Sequence, residues 1–170
     1  IGPPLRYRNQ GHQEALWEGL RDGYISCVAS DHSPHPREQK ELGWDNVFYQ
    51  PDGRTPVPFG SPSMETMAQV VYSTGVEERG MALSWFARVM SENPARIFGL
   101  YPQKGVIQVG SDADLTVWDP ELRRTIRAEE MQSNSDYDVY EGWEVQGWPV
   151  YTLSRGDVVF ENGRVTGARG

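Results

Sequence analysis

The sequence is poor in the residues that build redox and metal sites. It has one cysteine, Cys27, and three histidines, His12, His32 and His35. A lone cysteine excludes an intramolecular disulfide and any zinc cage built on cysteine. Burial as a small apolar residue is expected of Cys27, in preference to work as a nucleophile. No apolar run is long enough to span a bilayer, and no signal-peptide pattern is present. Gly-x-Gly-x-x-Gly, Walker and Gly-x-Ser-x-Gly motifs are also missing. Surplus charge of the basic sign is absent too: the net charge is -8, with a pI near 4.9. A general nucleic-acid binder is therefore not expected, nor is a membrane partner. What remains, 170 residues with 38% hydrophobic and 24% charged side chains, suits a soluble globular protein. A reducing, cytoplasmic setting is expected. The chain opens on Ile1-Gly2-Pro3-Pro4 without Met, which suggests a piece of a longer protein.

One stretch concentrates chemistry. The apolar run Ile25-Ser26-Cys27-Val28-Ala29 gives way to Ser30-Asp31-His32-Ser33-Pro34-His35. Apolar residues suit a buried strand, and a carboxylate with two histidines at its mouth is costly unless it binds or catalyses something. The preceding segment, Gly11 to Gly23, has a helical apolar face at Ala15, Leu16, Trp17 and Leu20 and a glycine stop. Helix, strand and polar strand end in that order suggest an α/β architecture, where chemistry gathers at the carboxyl ends of strands.

Residues 35–60 are polar and broken by prolines, the pattern of a long functional loop. Ser61 and Pro62 read as the entry to a helix running through Met64, Met67, Val70 and Val71 to about Gly75. A helix is expected from Ser84 to Met90, and a short one from Ala95 to Phe98 after Asn93-Pro94. After Tyr101 the texture turns to strands: Val106 to Val109, Leu115 to Trp118, and a hairpin of Asp157–Phe160 with Arg164–Thr166 around Asn162-Gly163. Glu129 to Trp148 has no clean period and reads as loop with short strands.

Asp31, His32 and His35 together make a candidate zinc site, but Pro34 interrupts their geometry. A capping aspartate with surface histidines is the simpler account from spacing alone. Gly110-Ser111-Asp112-Ala113-Asp114 lacks the ligand spacing of a calcium loop and reads as a tight turn.

Several stretches in one order, however, resemble the C-terminal part of a dihydropyrimidinase- and hydantoinase-type cyclic amidohydrolase. They include Pro3-Pro4-Leu5-Arg6, His12-Gln13-Glu14-Ala15-Leu16-Trp17, Ser30-Asp31-His32 and Asn93-Pro94-Ala95-Arg96-Ile97-Phe98-Gly99. Gly110 to Leu115, Trp118-Asp119-Pro120, Tyr140-Glu141-Gly142 and Arg155-Gly156 continue the series. The resemblance implies a (β/α)8 TIM barrel with a β-sandwich. A barrel takes about 250 residues, so residues 1–102 are expected to be its C-terminal part, with Tyr24 to Ala29 as the last strand. Residues 103–170 would be returning sandwich strands and tail.

The resemblance also implies a binuclear divalent metal centre, with zinc expected, for which Asp31 is the matching ligand and general base. The family's His-x-His pair, bridging lysine and further histidines have no match here, and neither Lys40 nor Lys104 matches that lysine. The expected function is opening of a hydantoin or dihydropyrimidine ring by the full-length protein, itself expected to be a homo-oligomer. The isolated chain is expected to be inactive. The segment from Asp31 to His35, with Phe59-Gly60, looks more like dihydroorotase or allantoinase, and these are alternatives. On that likeness His35, Phe59 and Gly60 would contact substrate, and Gly2 would offer its backbone. A non-catalytic dihydropyrimidinase-related scaffold is a further alternative, against which the presence of Asp31 argues.

Overall fold

The computed structural model describes residues 11–168. Among the described residues five α-helices are formed: α1 (His12–Asp22), α2 (Arg37–Glu41), α3 (Met64–Tyr72), α4 (Leu83–Ala87) and α5 (Asn93–Ile97). They are followed by four strands, β1 (Leu115–Thr125), β2 (Glu144–Ser154), β3 (Asp157–Glu161) and β4 (Arg164–Val165), hydrogen-bonded in chain order. None of the described helices is long and apolar enough to cross a membrane. The chain divides into two compact units. One contains Ala29–Ala68 and Thr125–Glu144; the other contains Gln13–Val28, Gln69–Arg124 and the residues from Val145 onward.

The second unit holds the larger core. Tyr72, Trp85, Val89, Val145 and Trp148 are buried. The rings of Tyr72, Phe86 and Trp118 meet pairwise at centroid distances of 5.3–5.5 Å, the spacing at which edge-on and tilted aromatic pairs attract. Gly147 makes this cluster possible: its φ is +87°, and a Cβ there would lie 2.2 Å from Tyr72 Cδ1. Burial, with a hydrogen bond to Glu77, pushes the Tyr72 phenol up to about 12. Within this unit the half-buried face of α1 packs through Trp17, whose ring lies 6.2 Å from that of Trp85. The Trp85 indole donates to the Leu20 carbonyl at 3.1 Å.

The hairpin forms as its sequence predicts. Asn162 and Gly163 have φ of +46° and +86°, both positive as a two-residue turn of the favoured twist requires. β2 and β3 pair antiparallel from Tyr151↔Glu161 to Ser154↔Asp157, with a bulge between Thr152 and Leu153.

Two expected strands are not formed. Tyr24 to Ala29 opens on a bend and has no ladder partner among the described residues, and Tyr24 is 89% exposed. Its backbone is held instead by Ile25 N–H to Gly19 at 2.9 Å and Val28 N–H to Val89 at 3.4 Å. The Asn93 side chain donates to Ser26 at 2.6 Å. Cys27 is correspondingly half-buried, not enclosed. A strand of a parallel sheet depends on neighbours on both sides, and no described segment pairs with this one. Val106 to Val109 likewise forms turns, with Ile107 86% exposed. The loop after His35 contains α2, which its short polar sequence did not signal.

In the first unit, Ile126 is fully buried and exchanges backbone hydrogen bonds with Gly142 and Trp143. In the same unit Asp138 is buried; Oδ2 accepts from Thr66 Oγ1 at 3.2 Å and Oδ1 from the Tyr140 N–H at 2.8 Å. Burial raises its pKa, outweighing these hydrogen bonds, and Glu141 and Glu65 add to the rise. The native state therefore holds the Asp138 proton more tightly than the unfolded chain does. Its contribution to stability is greatest below the unfolded value of about 3.9 and is lost as pH rises through the raised native pKa. Asp138→Asn is expected to remove that loss, so urea unfolding of variant and wild type should diverge upward through this window. Parallel pH profiles would contradict the assignment.

Candidate active site

The site is built on the turn Ser30–Ser33, which follows the apolar segment. Asp31 has φ of +46°, a left-handed conformation that Asp and Asn tolerate better than most residues. Its side chain is exposed, and none of the hydrogen bonds or ion pairs among the described residues involves its carboxylate. Backbone in such a sparsely populated region persists when its surroundings over-determine it.

Those surroundings come from the segment Phe59–Met64. Ser63 Oγ donates to the Ser30 carbonyl at 2.9 Å, and the Ser33 N–H donates to the Ser61 carbonyl at 3.0 Å. Ser33 Oγ donates to the Phe59 carbonyl at 3.0 Å. Gly60, with φ of +95°, lies so close that a Cβ there would be 2.4 Å from Ser33 Cβ. The His32 N–H closes the turn by donating to Ser30 Oγ at 3.2 Å. Asp31 is thus presented by a turn clamped on both sides.

His32 has a defined structural role. Its Nδ1 accepts from the Ser63 and Met64 N–H groups, both at 3.1 Å, and so caps α3, whose first carbonyl acceptor is Ser63. A nitrogen that accepts two N–H groups carries no proton, which puts the ring proton on Nε2. Neither nitrogen then offers a lone pair to a metal, and the local Asp31–His32–His35 zinc arrangement is not formed. Among the described residues no three His, Cys, Asp or Glu side chains come together as a metal-binding group. Ser61 and Pro62 precede the helix without capping it, because the His32 imidazole does so. His32→Ala is expected to cost about 1 kcal/mol, the usual value of a lost N-cap, read as a lower urea midpoint; an unchanged midpoint would remove the cap.

His35 is half-buried, and its carbonyl accepts from Ser135 Oγ at 3.1 Å. One turn later the Arg37 N–H, at the start of α2, is accepted by Asp136 Oδ1 at 2.8 Å. Phe59 is half exposed, with its ring 6.4 Å from that of Phe48 in an edge-on arrangement. Asp31, His35, Phe59 and Gly60 therefore belong to one unit, in which Ser33 ties the Asp31 turn to Phe59 and Ser135 holds the His35 backbone. Gly2 lies outside the described residues. Sequence reasoning missed Ser30, Ser33 and Ser63 as clamps; their only signal is that serines recur on both sides of the loop.

The amidohydrolase family profile matches residues 7–159 of the chain. The chain belongs to the amidohydrolase family. It is 38% identical to an L-hydantoinase of Paenarthrobacter aurescens over 97% of its length, and 37% identical to a D-hydantoinase of Geobacillus stearothermophilus over 99%. Its fold matches that of a D-hydantoinase (dihydropyrimidinase) from Thermus sp. with a TM-score of 0.88 at 38% identity, covering 99% of this chain and 35% of that one. A dihydropyrimidinase from Brevibacillus agri gives a TM-score of 0.85 at 37% identity, with 97% and 34% covered. The hydantoinase-type resemblance is thereby borne out, and the fold is the α/β fold of these structures. This amidohydrolase segment spans about a third of the length of those relatives, 34% in each of the two sequence matches.

Proposed function

We propose that this segment belongs to a metal-dependent hydrolase that opens hydantoin or dihydropyrimidine rings, with Asp31 as its acid–base residue. The observation that carries the proposal is the clamped, exposed Asp31 carboxylate, in a chain similar to hydantoinases along nearly its whole length. Ring opening adds water across a C–N bond: hydroxyl goes to the amide carbon and a proton to the departing nitrogen. Asp31 takes the proton from the attacking water and delivers it to the ring nitrogen as the C–N bond breaks. A single positioned group suffices for both transfers. The clamps through Ser30 and Ser33 hold its backbone in place during that exchange.

The family implies a divalent metal, and zinc is our choice. The described residues do not fit a complete centre, since Asp31 supplies one ligand and His32 is committed to α3. We assign residues 1–102 to the barrel, with Tyr24 to Ala29 as a last strand that would pair only beside the neighbouring strands of the full-length protein, and residues 103–170 to the sandwich. His35 and the backbone of Phe59-Gly60 are assigned to substrate contact, and the assembled protein to a homo-oligomer. The test is a substrate comparison on the full-length protein carrying this segment. Hydantoin or dihydrouracil is expected to give the highest kcat/KM. A higher value for dihydroorotate or allantoin would transfer the assignment to those rings.

A further inference from the structure

His35 stands on a stiff piece of backbone. Pro34 and Pro36 flank it, each with a ring that fixes its own φ, and a residue before proline is confined to extended conformations. Pro36 is itself extended, with φ of -57° and ψ of 146°. Two hydrogen bonds then pin His35–Arg37 from outside. The His35 carbonyl accepts from Ser135 Oγ at 3.1 Å, and the Arg37 N–H donates to Asp136 Oδ1 at 2.8 Å. Both partners are adjacent residues, 99 and 100 positions further along the chain. The imidazole is left out of this arrangement: none of the hydrogen bonds or ion pairs among the described residues uses a His35 ring nitrogen. The backbone is held and the side chain is free to meet something else.

The strap that supplies Ser135 and Asp136 is anchored in turn. Glu65 Oε2 accepts from the N–H groups of Gln132 and Ser133 at 2.7 and 3.0 Å, and Thr66 Oγ1 donates to the buried Asp138 at 3.2 Å. Ser135 is buried, and its N–H donates to Ser133 Oγ at 3.2 Å. The base of the strap is closed by the Ala128 N–H to Glu141 at 2.7 Å and the Gly142 N–H to Ile126 at 2.9 Å. Glu65 and Thr66 belong to the first turn of α3, the helix that His32 caps from the Asp31 turn. Within one unit, contacts therefore lead from the Asp31 turn through the start of α3 and the strap to His35.

We propose that Ser135 and Asp136 are positioning residues for His35: they fix its backbone relative to the Asp31 turn and, through His35, determine how tightly the cyclic substrate binds. The proposal rests on the assignment of the chain to a ring-opening hydrolase with His35 in contact with substrate. The proton transfers stay with Asp31, whose turn is clamped by Ser33 and Ser63 and not by the strap. Loss of a strap contact therefore weakens binding and spares the chemical step.

The test is steady-state hydrolysis of hydantoin by the full-length protein carrying this segment. Asp136 is exposed, so Asp136→Ala opens no buried cavity. Asp136→Ala and Ser135→Ala are each expected to raise KM by about 3- to 10-fold, the worth of one hydrogen bond, with kcat kept within about twofold. Retained kcat also shows that the variants are folded. Asp136→Asn loses the charge but keeps an oxygen acceptor for the Arg37 N–H, and should bring KM back to within about twofold of wild type. His35→Ala is expected to raise KM too, and adding Asp136→Ala to it should change KM by less than about twofold, since residues that act through one contact do not add. An unchanged KM in Asp136→Ala, Ser135→Ala or His35→Ala would overturn the proposal. So would a loss carried by kcat, a failure of Asp136→Asn to recover, or KM rises that multiply in the double variant. Each of these, with wild-type turnover present, leaves the reaction standing. No turnover of any ring by the wild type overturns the reaction and, with it, the role of the strap.

Discussion

Asp31→Asn is expected to lower hydantoin turnover by the full-length protein by about 10²- to 10⁴-fold, the range for loss of a positioned acid–base group. The substitution is unusually clean at this position. Asp31 sits at φ of +46°, and asparagine tolerates left-handed backbone as readily as aspartate does. The clamps on either side use Ser30, His32, Ser33 and Ser63, none of which bonds to the carboxylate. Backbone and neighbours should therefore stay in place, leaving an amide that cannot take a proton from water and return it. Thermal unfolding should be little changed while kcat collapses. Full activity in Asp31→Asn would remove Asp31 from the chemistry. A loss of activity matched by a loss of folding would assign it to structure.

Gly60→Ala should carry the largest stability effect near the site. At φ of +95° an alanine is strained, and its Cβ would lie 2.4 Å from Ser33 Cβ. A left-handed L-residue costs about 1–2 kcal/mol and overpacking about 1–3 kcal/mol, so a loss of roughly 2–5 kcal/mol is expected from urea unfolding. The two causes separate in a double variant. Adding Ser33→Gly removes the crowding but not the backbone strain, and gives up the hydrogen bond to Phe59. Partial recovery of the midpoint is expected. No recovery would place the entire cost in the backbone, and no initial loss would show that Gly60 and Ser33 do not approach closely in solution.

Local patterns predicted local structure well. The Asn162-Gly163 turn and α1 formed where sequence placed them, because turn chemistry and helical periodicity are properties of the segments themselves. Tyr24 to Ala29 reads as a strand from its apolar run, yet a ladder is a property of neighbours, and none of the described segments supplies one. Asp31 stood out because a carboxylate after an apolar run is costly without a purpose. The means of holding it did not, since serines 30 residues apart carry no signal of contact until the chain is folded. His32 was one of three candidate ligands, with Asp31 and His35, and caps a helix, a distinction that rests on which groups face Nδ1.

The central claim is that Asp31 is one part of a ring-opening centre whose other metal ligands this chain does not provide. The direct test is release of ring-opened product from hydantoin and dihydrouracil, with added zinc, by the purified 170-residue chain beside the full-length protein. Turnover by the full-length protein and none by the 170-residue chain is the expected result. Turnover by the chain alone, or none by the full-length protein, would contradict it.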